Sequence, residues 1–323
     1  MKQSIFVITG MHRSGTSFTA SLLQSAGLDI GQRLMEPDYG NVRGFFENLD
    51  FLEFHETVLR SQGLNHVGWT LQGKIDVEEL YVEKAKEIIA KNSLSPMWGW
   101  KEPRTTLFLD FWVNLLPEAN FLLIYRSPWE VVDSLYRRGD EIFIEQPELA
   151  VKIWMHYNQK ILDFYDKFSD RCLLVSVYSI AHKIESFIDA INAKFQVNLV
   201  NPRSDIYDSS LFHTQVSDAH SSTLVGYYFP QALDIYQELN ARETRLQEDP
   251  DLSWLEKIKQ SPDSVWAFQD WVNIRHLERQ VKSLRSKLER AQSQLQQTQT
   301  ELEALSSNAN TDFCTFVKKI EPP

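Results

Sequence analysis

Four short apolar runs punctuate the first 180 residues, and each leads into a turn or a stretch of helical spacing. Ile5-Phe6-Val7-Ile8 is a continuous apolar run of strand length. The loop Thr9 to Gly15 follows it, and Thr16 to Ala26 then places Phe18, Leu22 and Leu23 at helical spacing. Gly27 stands where a helix C-terminus calls for a left-handed residue. Residues 31 to 48 read as loop, with Pro37, Gly40 and Gly44 as breakers. Helices are predicted over Leu49 to Ser61, Val77 to Ala90, Trp129 to Arg138 and Glu148 to Phe168. Further strands are predicted at Trp98 to Lys101, Asn120 to Tyr125 and Cys172 to Val177. Strands alternating with helices predict an α/β fold, a P-loop-type parallel sheet flanked by helices. In such sheets ligands bind beyond the carboxyl ends of the strands.

The pattern changes near Ile274. Ile274, Leu277, Val281, Leu284, Leu288, Ala291, Leu295, Thr298, Leu302 and Leu305 follow one another at alternating steps of three and four. Such a narrow seam predicts a C-terminal coiled-coil helix and self-association through it. Gln dominates the flanking positions, so charge pairing fixes neither strand number nor orientation. The expected organisation is an α/β domain over 1–250, a helical linker over 251–273, the coiled coil over 274–305 and a disordered tail over 306–323. The segment from Ser204 to Asp251, with His213, is expected to close over a ligand.

Composition narrows the possibilities. At 323 residues and 43% hydrophobic side chains, the chain can bury one full domain plus an appendage. Cys172 and Cys314 are its two cysteines, which excludes a disulfide framework and fits a reducing compartment. No spacing of Cys and His marks a metal site. The longest strongly apolar run is far too short to span a bilayer, and no leader-like segment opens the sequence, so a soluble cytoplasmic protein is expected. A net charge of −11 argues against a nucleic-acid-binding surface. An anionic ligand must therefore be held by local devices, a helix N-terminus and a few placed arginines.

Three polar motifs stand at predicted strand ends. The first is Gly10-Met11-His12-Arg13-Ser14-Gly15-Thr16-Ser17, whose spacing matches the phosphate-binding loop G-x-x-x-x-G-K-S/T with Thr16 in place of Lys. Backbone N–H groups can still converge on an anion there, and Arg13 supplies positive charge from inside the loop. The second is Arg126, which closes a buried strand, with Ser134 eight residues later on the next helix. A guanidinium and a hydroxyl so placed suit a second, separate phosphate. Arg137 and Arg138, one turn on, read as a solvated helix end. The third is Trp98-Gly99-Trp100-Lys101-Glu102-Pro103-Arg104-Thr105, which puts Lys101 and Arg104 at another strand end.

Taken together, these elements resemble the sulfotransferases that use PAPS (3′-phosphoadenosine 5′-phosphosulfate), in particular their bacterial and carbohydrate-type branch. Gly44-Phe45-Phe46-Glu47-Asn48 belongs to the same pattern, and Val175-Ser176-Val177-Tyr178 resembles a later strand loosely. The resemblance spans about residues 4 to 240 and leaves out the coiled coil. It implies that Gly10, His12, Arg13, Ser14, Gly15, Thr16 and Ser17 hold the 5′-phosphosulfate, and Arg126 and Ser134 the 3′-phosphate. Lys101 would stabilise charge on the transferring group or its leaving oxygen. Small-molecule sulfotransferases carry a catalytic His two residues after that Lys, and here the position is Pro103. Glu47 is then the candidate base, with His12 its competitor and His55 and His66 behind. A metal is not required. The acceptor would be a hydroxyl or amine of a small molecule or glycan, and Trp69, His66, Tyr39 and Phe45 are expected to flank the cleft.

Two other functions compete. A P-loop small-molecule kinase would need ATP and Mg²⁺, and the missing Lys counts against it. A non-enzymatic coiled-coil scaffold gives no reason for three cationic motifs at successive strand ends.

Overall fold

The computed structural model describes residues 3–35, 46–202, 219–246, 277 and 280–300 of the chain. Tyr39, Gly44, Phe45, His213, the linker 251–273, Ile274, Leu302, Leu305 and the tail 306–323 lie outside these residues. The chain divides into two compact units, Met1–Ser261 and Pro262–Pro323.

In the first unit, four strands form a parallel sheet: β1 (Ser4–Thr9), β2 (Met97–Lys101), β3 (Asn120–Tyr125) and β4 (Cys172–Ser176). Their order across the sheet is β2-β1-β3-β4. The chain leaves β1 for one neighbour and later returns to the other side, so the strand order reverses between β1 and β3. Ile8 lies opposite both Lys101 and Leu122, and Tyr125 lies opposite Ser176. The carboxyl ends of the strands therefore finish along one edge.

Alternation along the strands builds two cores, because successive side chains point to opposite faces. Phe6, Ile8, Leu122, Ile124, Leu173 and Val175 pack into one cluster, with α1 (Thr16–Ser25), α8 (Val177–His182) and α9 (Ile184–Phe195). Val7, Trp98, Trp100, Phe121, Leu123 and Leu174 pack into the other. That second face carries α2 (Leu49–Ser61), α3 (Glu79–Asn92), α4 (Leu109–Leu115), α5 (Pro128–Arg138), α6 (Glu141–Glu145) and α7 (Pro147–Phe168). It also carries α10 (Ala219–Tyr228) and α11 (Pro230–Arg242). Aromatic stacking tightens it: the Phe51 and Trp100 rings lie 4.1 Å apart and 5° from parallel, with Trp112 against both. Truncating any of these buried aromatics to Ala costs about 3–5 kcal/mol.

The strands and helices predicted between residues 5 and 177 form, with shifts of one or two residues at several ends. The last strand stops at Ser176, because the Ser176 hydroxyl accepts the Ser179 amide proton and caps α8, so Val177 is helical and not extended. The helix expected over 77–90 runs over Glu79–Asn92 instead, and Asn92 is tied into the core by a bond to the Asn48 amide. Downstream, α11 fixes the end of the sheet. The Glu243 carboxylate accepts from the Tyr125 hydroxyl and the Ser176 amide, and Thr244 N–H donates to Leu174 O.

The second unit contributes the helix over 280–300. Leu284, Leu288 and Leu295 are exposed along it.

Candidate functional site at the carboxyl edge of the sheet

The loop after β1 turns at the point where the strand order reverses. A Cβ at Gly10 would lie 2.0 Å from the Ile124 carbonyl oxygen, so only glycine lets the chain pass β3 this closely. Gly15 caps α1 with φ +89°, and a Cβ there would strike Val177 at 2.2 Å. Between them Arg13 takes φ 69°, a left-handed conformation that costs a non-glycine residue about 1–3 kcal/mol. No side chain caps the N-terminus of α1. The Ser14 hydroxyl is fully buried beside it and, among the described residues, has no hydrogen-bond partner.

Arg13 reaches across to α5, where its Nε donates to Ser134 Oγ at 2.8 Å. The first two motifs are thereby brought into direct contact. Burial lowers the Arg13 pKa, and the fields of Arg138, Arg126 and Arg137 lower it further. Those three arginines have carboxylate partners: Arg126 with Glu130 at 3.1 Å, Arg137 with Asp133 at 2.7 Å, and Arg138 with Asp140. Among the described residues, Arg13 has no carboxylate within ion-pair distance. Arg137 is the solvated helix-end residue the sequence predicts, whereas Arg138 also lies over the Trp69 ring, 5.3 Å from its centroid.

The third motif meets Glu47. Lys101 Nζ donates to Glu47 Oε1 at 3.0 Å, in an ion pair whose lysine is 1% exposed. Backbone bonds hold both partners: Met35 N–H donates to Glu47 O, and Asn48 N–H to Lys101 O. Asn48, not Glu47, is the N-cap of α2, its side chain accepting from Asp50 N–H. The Glu47 carboxylate is therefore committed to Lys101 and not to the helix end. Phe46, just before it, has φ 54°, a second left-handed residue at the rim of the site. Burial lowers the Lys101 pKa, and Glu47 opposes that shift.

Behind Lys101 lies a network that the sequence pattern did not reveal. Arg104 Nη1 donates to Glu102 Oε1 at 2.6 Å, and His55 Nδ1 donates to Glu102 Oε2 at 2.7 Å. The Trp112 indole can only donate, and it does so to His55 Nε2 at 2.8 Å. His55 is thus the neutral Nδ1–H tautomer, consistent with burial lowering its pKa. Burial alone would raise the Glu102 pKa, but Arg104 and His55 outweigh it and hold this carboxyl below the usual range. His55 is a buried structural partner, and His66 contributes its backbone carbonyl, which accepts from Arg104 Nε. No period or motif joins residues 55, 102 and 112, so pattern reading had no means of finding them.

His12 also turns away from the open loop. Its Nε2 donates to Val67 O at 3.0 Å, and its ring packs against Trp69 and Tyr157. Burial lowers its pKa well below the usual range, so the ring is neutral at physiological pH. Trp69 is itself buried among His12, Phe143 and Arg138, as packing and not as an open stacking face. Thr16 is buried at the start of α1, and Ser17 follows it in the first turn. Among the described residues, no cluster of His, Cys, Asp or Glu could hold a metal ion, and no helix is long and apolar enough to cross a membrane.

The fold and this edge define a parallel α/β protein with a phosphate-loop-type turn after its first strand. No known family's profile matches the chain, and no curated protein matches it. Solved structures similar to it include a sulfotransferase from Alicyclobacillus acidocaldarius, 14% identical with a TM-score of 0.45, covering 76% of this chain and 98% of that one. Another is sulfotransferase STF9 from Mycobacterium avium, 11% identical with a TM-score of 0.43, covering 73% and 76%. A third is the sulfotransferase domain of the Synechococcus PCC 7002 olefin synthase, 19% identical with a TM-score of 0.39, covering 80% and 95%. Likeness this remote assigns neither donor nor acceptor to this chain.

Proposed function

We propose that this protein is a cytoplasmic, PAPS-dependent sulfotransferase acting on a hydroxyl or amine acceptor, with a sugar or glycoconjugate the favoured class. The observation that carries this reading is Arg13. It is a largely buried guanidinium in a glycine-bounded loop, bonded to Ser134, near three more arginines whose fields outweigh that of Asp140, and among the described residues it has no carboxylate within ion-pair distance. A cation in that setting fits an anionic ligand. The buried Ser14 hydroxyl, without a hydrogen-bond partner among the described residues, fits the same kind of ligand.

In this reading Arg13, with the loop amides from Ser14 to Ser17, holds the 5′-phosphosulfate, and Arg126 with Ser134 holds the 3′-phosphate. The donor supplies an activated sulfuryl group with a phosphate leaving group, and the chain supplies position and charge. Glu47 takes the acceptor proton as the acceptor oxygen or nitrogen bonds to sulfur. Neutralising Glu47 dissolves its pair with Lys101, whose charge then faces the leaving oxygen as the old S–O bond breaks. His12, neutral and bonded to Val67 O, contributes to the shape of the loop. The mechanism needs no metal.

The test is calorimetric titration with PAP, the desulfated product, and in parallel with ATP plus Mg²⁺. Tight PAP binding that Arg126→Ala weakens, with weak ATP binding, is expected. ATP preferred over PAP would overturn the reading in favour of a P-loop kinase.

We also propose that the C-terminal seam pairs with a second copy of the chain. Val281, Leu284, Leu288 and Leu295 recur at coiled-coil spacing and are 48–62% exposed on the helix over 280–300. Sedimentation of the full chain against a Leu284→Glu/Leu288→Glu variant tests this, and an unchanged mass would overturn it.

A further inference from the structure

The Arg126 site contains an acid that the nucleotide reading does not use. Glu130 lies one turn along α5, and its Oε1 accepts from Arg126 Nη2 at 3.1 Å. Its Oε2 accepts from the Ser127 hydroxyl. Ser127 is the N-cap of α5, where a serine oxygen ordinarily accepts an amide proton from the first turn. Here no side-chain capping bond forms, and the hydroxyl proton goes to Glu130 instead. The polar groups that open α5 are thus both turned onto one carboxylate. The backbone beneath them is fixed, since the Trp154 indole donates to Arg126 O at 3.1 Å.

The charge balance gives this contact a consequence. The fields of Arg126, Arg137 and Arg138 reach Arg13 at this edge, and Glu130, Asp133 and Asp140 are the carboxylates paired with those three. Arg137 and Asp133 are both half exposed, so solvent screens that pair. The Arg126–Glu130 pair is 12% and 22% exposed, and its charges are screened less. A phosphate arriving at Arg126 meets a guanidinium whose field is already opposed by a carboxylate about 3 Å away.

We propose that Glu130 is a built-in competitor for the 3′-phosphate at Arg126, which limits nucleotide affinity and lets the bisphosphate product leave. The proposal rests on the nucleotide reading above and adds a residue that acts through Arg126. A purely structural Glu130, an acid favourable to the N-terminus of α5, would change stability and leave nucleotide affinity alone.

The experiment compares the wild type, Glu130→Gln, Arg126→Ala and the double variant, each titrated with PAP and with AMP, which lacks the 3′-phosphate. Glu130→Gln keeps the side-chain length and removes the charge. It is expected to bind PAP about tenfold more tightly, through a slower off-rate in stopped flow, with AMP affinity unchanged. In the Arg126→Ala background the same substitution is expected to have no effect on PAP, the signature of coupling through Arg126. Should Glu130→Gln fold poorly, Glu130→Asp, which draws the carboxylate back from Nη2, is expected to tighten PAP binding by a smaller factor. If Arg126→Ala weakens PAP binding but neither Glu130 variant tightens it, the competitor is overturned and the nucleotide reading stands. If the wild type does not bind PAP, both fall together.

Discussion

At the carboxyl edge of the sheet, charged side chains are buried; along 280–300, apolar side chains are exposed. Lys101 is 1% exposed and Glu102 fully buried, whereas Leu284 is 62% exposed and Leu288 58%. Both reverse the ordinary partition of residues between surface and interior, and they are resolved differently. The buried charges answer one another within the chain, through Lys101–Glu47 and the Glu102–Arg104–His55–Trp112 network. Arg13 stands apart, bonded to a hydroxyl, with the fields of three cations outweighing that of Asp140. On the helix over 280–300, adjacent residues are exposed in their turn, so the leucines gain no cover from their own helix. Internal compensation fixes the geometry at the sheet edge, and the exposed leucines over 280–300 have no such compensation within their own helix.

Breaking the compensation should have the largest effect. Glu102→Ala leaves Arg104 with the more distant Glu56 carboxylate alone and the buried His55 Nδ1–H without its acceptor, and is expected to cost about 3 kcal/mol, measured by denaturant unfolding. Because the folded Glu102 pKa is depressed, its contribution to stability is complete above the unfolded value of about 4.5 and is lost as pH falls towards the folded one. The wild type should therefore lose stability on acidification through that window more steeply than Glu102→Gln.

Removing a cation from the loop or from the start of α5 should leave the fold and take the ligand. Arg13→Ala and Arg126→Ala are each expected to weaken PAP binding by about one to two orders of magnitude, the worth of a charged hydrogen bond, with little change in melting temperature. On the other region, Leu284→Glu/Leu288→Glu should abolish self-association while PAP affinity stays at the wild-type value. A PAP affinity that fell with it would erase the contrast between the two regions.

The smallest effect is a shift in pH dependence. Burial lowers the Lys101 pKa, so its charge is lost at a lower pH than that of an ordinary lysine. Affinity for PAP should fall as pH rises through that value. Glu47→Gln removes the neighbour that opposes the shift, so the fall should move to lower pH, read from calorimetry across a pH series.

Much of this architecture was legible along the chain. The run Ile5 to Ile8, the glycines at 10 and 15 and the apolar run closing at Arg126 are local signals, because strand burial and tight turns are written in consecutive residues. Glu130 was within reach too, since an acid four residues after an arginine at a helix start is a readable spacing. Trp69 is expected from the sequence only to flank the cleft, and its enclosure by His12, Phe143 and Arg138 is something no local pattern records.

By itself, then, the sequence determined the alternation of strands and helices, the loop after β1 and the cationic ends of β2 and β3, because each depends on periodicity or on a few neighbouring residues. Tertiary structure alone decided which of those charges meet. Arg13 and Ser134 are 121 residues apart in the chain, and Glu47 and Lys101 are 54 apart. Contacts over such separations arise from the parallel register of β1, β2 and β3, which brings the strand ends to one edge, and from the packing of α2 and α5 against the sheet.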